Sequence, residues 1–180
     1  MHGYPDKKEI LEDSRESIEM VANFFTKISP DKFFSKSDGW SAAENLVHLH
    51  KSLLPVSISL ITPKVILRTM FGSATTVNED LGTLKEQYFN KLQSGQKSGI
   101  FSPQSISEQK KNEEGKKNLL LKWDKTGREY LQRISRWKED ELDTVNLPHP
   151  ILGNISVRQI ICFMVFHNDH HIANVSNKLK

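Results

Sequence analysis

Apolar residues recur along this chain at alternating intervals of three and four, the spacing that lines up one buried stripe on an α-helix. Over residues 5–28 the stripe is Leu11, Ser14, Ile18, Val21, Phe25 and Ile28. Pro5 suits the first turn, and Ser29, Pro30 and Asp31 close the segment. Residues 31–40 read as a loop whose Phe33, Phe34 and Trp40 fold back over a bundle end. Ser41 and Glu44 have the spacing of a capping box and start a second helix that runs to about residue 54. Its inward members are Ala43, Leu46, Val47 and Leu53, and Pro55 marks a kink or an early end.

The pattern weakens over residues 63–103. A short helix is predicted over 63–71, a loop over 72–78, a modest helix over 79–92 with Leu81, Leu84, Tyr88 and Leu92, then turns. This stretch reads as an insertion over one end of the fold, either a substrate lid or an ordinary surface connection. Ser105 and Glu108 repeat the capping-box spacing and predict the start of a long helix with the stripe Leu120, Trp123, Gly127, Tyr130, Ile134 and Trp137. Residues 140–154 read as a loop, with turn signals at Pro148, Pro150 and Gly153. Ser156 and Gln159 form the last capping box and open a final helix. With four apolar stripes, no two-residue alternation and no internal repeat, the fold class is all-α. The architecture is a four-helix bundle, with a helical and loop insertion between the second and third main helices. The 180 residues form a single domain, 1–180.

Composition adds exclusions. The net charge of +3 comes from dispersed cations: Lys110, Lys111, Lys116 and Lys117 are interrupted by Glu113 and Glu114. That pattern reads as a solvated helix face, so nucleic acid is not expected as a partner. No apolar run reaches the roughly 18 residues of a membrane span, so a membrane is not expected either. The first ten residues lack the apolar core of a signal peptide. One cysteine, Cys162, permits no intrachain disulfide and fits a reducing cytoplasm. It lies about 140° around its helix from His167, within an apolar run, and reads as packing.

The chemistry concentrates in the last helix. His167 and His171, four apart, share one face, with Ile160, Phe163 and Met164 below and Asn174 and Val175 above. Two core-facing imidazoles need partners. A divalent metal is one such partner; each other or water is the alternative. His48, seven residues past Ser41 and on a face with Glu44 and Ser52, supplies a third nitrogen from a facing helix. Three nitrogens leave coordination positions open, as in reactive metal sites.

Two stretches resemble the DinB/YfiT-like metalloenzyme family: GWSAAENLVHLHKS (39–52), like its Trp-Ser segment leading to a His-Leu, and HPILGNISVRQIICFMVFHNDHHIANV (149–175), like its His-Pro and Leu-Gly turn before a final His-x-x-x-His helix. The resemblance places the metal ligands on His48, His167 and His171, and implies Zn²⁺, Ni²⁺ or another first-row divalent ion. It implies a small-molecule substrate and either S-transfer with a low-molecular-weight bacterial thiol or hydrolysis. A non-catalytic stress-response module that keeps its metal is the other class. The family's Gln after the last histidine is replaced here by Ala173 and Asn174. Glu44 is a candidate base, though its capping box also explains it. His170 is a replacement ligand or rim packing, and His149 a cavity border or a turn residue. His50 and Asp169 point away, toward solvent. No protein nucleophile stands out, and the sequence leaves open whether the bundle forms a homodimer.

Overall fold

Caps made by short side chains set where the helices of the computed structural model begin. It describes residues 4–36, 39–73, 80–96 and 99–179. Helix α1 (Lys7–Thr26) starts at Asp6, which accepts from the Glu9 N–H while the Glu9 carboxylate accepts from the Asp6 N–H. Pro5 therefore lies before the cap and not in the first turn. Ile10 takes the buried place expected for Leu11. Pro30–Phe34, expected as loop, forms the short helix α2, and its Phe33 and Phe34 close the bundle end.

Helix α3 (Ala42–Ser59) begins at the Ser41–Glu44 capping box. Pro55 does not end it. The turns on both sides are anchored by tertiary packing: Leu53 and Ser57 are buried, and the Trp137 indole N–H donates to the Leu60 carbonyl at 2.9 Å. That packing outweighs the roughly 3 kcal/mol a mid-helix proline costs. Helices α4 (Lys64–Phe71) and α5 (Leu81–Gln93) form the insertion; the expected loop residues 74–78 lie outside the described residues.

Helix α6 (Glu113–Ser135) starts later than the Ser105–Glu108 spacing suggests, because Asn112 caps Gly115 and Glu113 and Glu114 oppose the positive end of the helix. Its stripe of Trp123, Gly127, Tyr130 and Ile134 is buried as the spacing predicts. Lys116, read from sequence as part of a solvated face, is buried and donates to the Thr26 and Ile28 carbonyls at the end of α1.

Residues 140–154 depart most from expectation. They hold helix α7 (Glu139–Thr144) and an antiparallel hairpin of β1 (Asn146–His149) and β2 (Gly153–Ser156). Leu147 pairs with Ile155, both buried, and Gly153 turns the chain at φ +80°. Helix α8 (Val157–Leu179) follows its Ser156–Gln159 capping box. Arg158 ties it to α7 through Asp143 and Glu139, both at 2.6 Å.

Together α1, α3, α6 and α8 make an all-α four-helix bundle in which α1 and α3 each pack against both α6 and α8. Among the described residues no single helix is long and apolar enough to cross a membrane.

Candidate metal centre

The α3–α8 interface is where the histidines meet. His48 stands about two turns into α3, and His167 and His171 share the facing stripe of α8; all three are buried. One nitrogen from each lies within 4.8 Å of the others. His48 Nε2 and His167 Nε2 are 3.1 Å apart. Two nitrogens bound at about 2.0–2.1 Å to one tetrahedral ion sit roughly 3.3 Å apart, so the spacing fits a shared ion.

Outer hydrogen bonds fix two of the rings. The Phe101 carbonyl can only accept, so His48 Nδ1 carries the proton and donates to it at 2.9 Å. Asn45 uses its NH₂ on the Ser41 and Trp40 carbonyls (2.8 and 3.3 Å), which leaves Oδ1 to accept from His171 Nδ1–H at 2.7 Å. In both rings Nε2 then keeps its lone pair, as a metal ligand requires. His167 is held by packing, stacked on Phe163 at 5.6 Å, and its Nδ1 is buried without a hydrogen-bond partner among the described residues. Trp40 covers the outer side, stacked on His171 at 6.1 Å.

Burial keeps the cluster neutral. It holds His167 well below the ordinary histidine range, helped by His171 and His48, and brings His171 down to about 2. His48 is lowered by burial, against the opposing pull of the Phe101 carbonyl. Neutral imidazoles offer lone pairs at pH 7 without first losing protons.

Beside the cluster is a cavity of about 170 Å³. His48 and His167 form one end, with Ser52, Pro55, Val56 and Ser59 from α3 and Ile160, Phe163 and Met164 from α8. Tyr88 and Phe101 of the insertion and residues 147–151 of the hairpin complete the wall, which among the described residues contains no Asp, Glu, Lys or Arg. The insertion therefore walls the cavity.

The remaining candidates fall elsewhere. Both Glu44 oxygens are engaged, one by the Ser41 N–H and one by Lys36, and the residue does not line the cavity. Burial pushes its carboxyl up, but those two bonds win and hold it below the usual range. It closes its capping box. His170 is rim packing against Phe89 and Phe166, with Nε2 bonded to Asn174 at 2.9 Å. Asn174 thus serves His170, and the acceptor for His171 comes from α3. His50, expected at the surface, is half-buried against α6, with Nε2 3.0 Å from Thr126 Oγ1. Asp169 is exposed. Burial pushes the Cys162 thiol up to about 12, so it packs and does not react. His149 borders the cavity. Asn45 and Phe101 were not singled out by sequence; Asn45 sits one turn before His48, but its partner lies 126 residues away.

No family model and no curated protein matches the chain. A solved structure, the crystal structure of colibactin self-resistance protein ClbS in complex with a dsDNA, matches it with a TM-score of 0.56 and 14% identity. The match covers 97% of this chain and 96% of that one. At that identity the likeness is one of fold. It nevertheless overturns the exclusion of nucleic acid, because a protein of this fold is seen holding dsDNA. Lys110, Lys122 and Lys125 line one groove here together with Glu114.

Two outcomes follow from the geometry. A competition titration against a chelating dye should show one Zn²⁺ or Ni²⁺ bound per chain, binding lost in His48→Ala, and affinity roughly 10–100-fold weaker in Asn45→Leu. Equal affinity in all three proteins would contradict the site. Metal-free protein should also lose stability as pH falls. His48, His167, His171 and His149 (about 4 for the last) titrate lower folded than unfolded. The unfolded chain therefore binds more protons below about pH 6.5, with a slope of up to about 1.4 kcal/mol per pH unit for each group. Their contribution is complete above pH 6.5. Urea unfolding at pH 7.5, 6 and 5, above most carboxylate titration, reads this directly; a flat profile would contradict it.

Proposed function

We propose that this chain is a metal-dependent enzyme of the DinB/YfiT-like type. In this reading His48, His167 and His171 hold a divalent ion, Zn²⁺ or Ni²⁺, and a low-molecular-weight thiol is transferred to an electrophilic small molecule. The observation that carries the reading is three buried, neutral imidazoles at one end of an uncharged cavity. Imidazole suits both ions and does not choose between them. When bound, such an ion supplies Lewis-acid chemistry and lowers the pKa of a thiol or water beside it.

The chain's own residues do the rest. His48 and His171 are oriented by Phe101 and Asn45, so the ligand set is preorganised. The apolar walls exclude water and hold the electrophile. In the transfer, sulfur bonds to the electrophilic carbon, the carbon–leaving-group bond breaks, and the thiol proton departs with the leaving group. A cavity of this size has room for a small electrophile beside the histidines, as S-transfer needs. No protein thiol competes as nucleophile, since Cys162 is held protonated.

A screen of small thiols with aromatic electrophiles, read by product mass, tests this. Turnover should require added metal and disappear in His48→Ala while circular dichroism stays helical. Turnover without a thiol would make the enzyme a hydrolase. If metal removal lowers only the melting temperature, the site is structural.

A second reading follows from the likeness to a protein solved with dsDNA. The groove with Lys110, Lys122 and Lys125 also presents Gln104, Gln109, Asn112 and Asn118, donors suited to phosphate oxygens, beside one carboxylate, Glu114. Anisotropy with labelled duplex should show affinity falling with salt, at roughly 0.9 log unit per log unit of salt for each phosphate neutralised, and weakening in Lys122→Glu. No binding at low salt would end this reading.

A further inference from the structure

His149 lines the cavity but is not one of the three converging histidines. It closes β1, and the hairpin turn folds back over one edge of its ring. Its Nδ1 accepts the backbone N–H groups of Ile151 at 3.2 Å and Leu152 at 3.0 Å. A nitrogen that accepts twice carries no proton, so the neutral ring must keep its hydrogen on Nε2. Nε2 has no hydrogen-bond partner among the described residues. Phe163 stands between this ring and the metal-site end, with its centroid 4.6 Å from His149 and 5.6 Å from His167.

We infer that the cavity binds the uncharged, apolar end of the electrophilic substrate, an aromatic or short branched group bearing a carbonyl-type oxygen, and that His149 Nε2–H donates to that oxygen. The inference rests on reading this cavity as the place where substrate binds. Three observations carry it. Among the described residues the wall contains no charged side chain, so a charged or sugar-bearing thiol finds no ionic partner there. The volume of about 170 Å³ is close to the roughly 150 Å³ of an apolar cavity that accepts benzene. An N–H with no protein partner, on a half-buried residue that lines an otherwise apolar cavity, selects a ligand that brings an acceptor. Burial, with Lys91 nearby, lowers His149 to about 4, so the ring stays neutral through the working pH range. His149 is thus a specificity residue at the far end of the cavity from the metal site.

The experiment compares acetophenone with ethylbenzene, which has nearly the same shape and no acceptor. Affinities are measured by ligand-observed NMR on metal-loaded wild type and His149→Asn. The asparagine oxygen can replace Nδ1 as acceptor for the turn, but no N–H reaches the Nε2 position. The ratio of acetophenone to ethylbenzene affinity should fall roughly fivefold in the variant, with metal content unchanged. An unchanged ratio would overturn the inference. A second measurement needs no variant: ring ¹⁵N shifts of wild-type His149 should report the Nε2–H tautomer, with that proton shifted by acetophenone and unmoved by ethylbenzene. An Nδ1–H tautomer, or equal response to both probes, would overturn it equally. Absent thiol turnover together with the fivefold fall in the ratio would remove S-transfer and leave this assignment standing; thiol turnover with an unchanged ratio would remove only this assignment.

Discussion

The structure depends on how three imidazoles are kept from water at the contact between α3 and α8. Each neutral ring brings a lone pair into a place where an unsatisfied polar atom costs about 1–3 kcal/mol. Protonation is no escape, because burial opposes it for His48, His167 and His171. Two of the outer nitrogens are satisfied by Phe101 and Asn45. The inner nitrogens face one another, an arrangement a divalent ion resolves at one stroke and hydrogen bonds among neutral rings resolve only in part. Ordinary packing would replace one of these rings by leucine.

The rest of the fold can be understood as holding that contact in register. The four long helices supply the frame, and Arg158 and the capping box at Ser156 fix where α8 begins. The insertion contributes Phe101 to the His48 ring and Tyr88 to the cavity wall. The hairpin brings His149 and Leu147 to the opposite side. The cavity is therefore built from segments distant in sequence, with a nitrogen-lined end and an apolar remainder.

Much of this was legible before any coordinates. Capping boxes at Ser41 and Ser156 and the stripe through Trp123 and Tyr130 are local signals, and local signals survive folding. His167 and His171 were legible from helical spacing, and His48 joined them as a histidine of a second helix through the resemblance of its segment to the DinB/YfiT-like motif. What escaped was what depends on tertiary context. A four-residue strand containing Pro148 shows too little alternation to reveal a hairpin. Pro55 reads as a terminator until the packing around it is known. Lys116 reads as solvated until the end of α1 offers it carbonyls. Asn45 looks like an ordinary helix residue, and only the facing helix gives its amide oxygen a role.

The central claim is that one ion is shared by imidazoles from two helices. X-ray absorption spectroscopy on protein loaded with one equivalent of Zn²⁺ or Ni²⁺ examines that bond directly. The account predicts three nitrogen neighbours at about 2.0–2.1 Å, with the outer scattering of three imidazole rings. A spectrum of oxygen neighbours alone, or with a single imidazole, would contradict it.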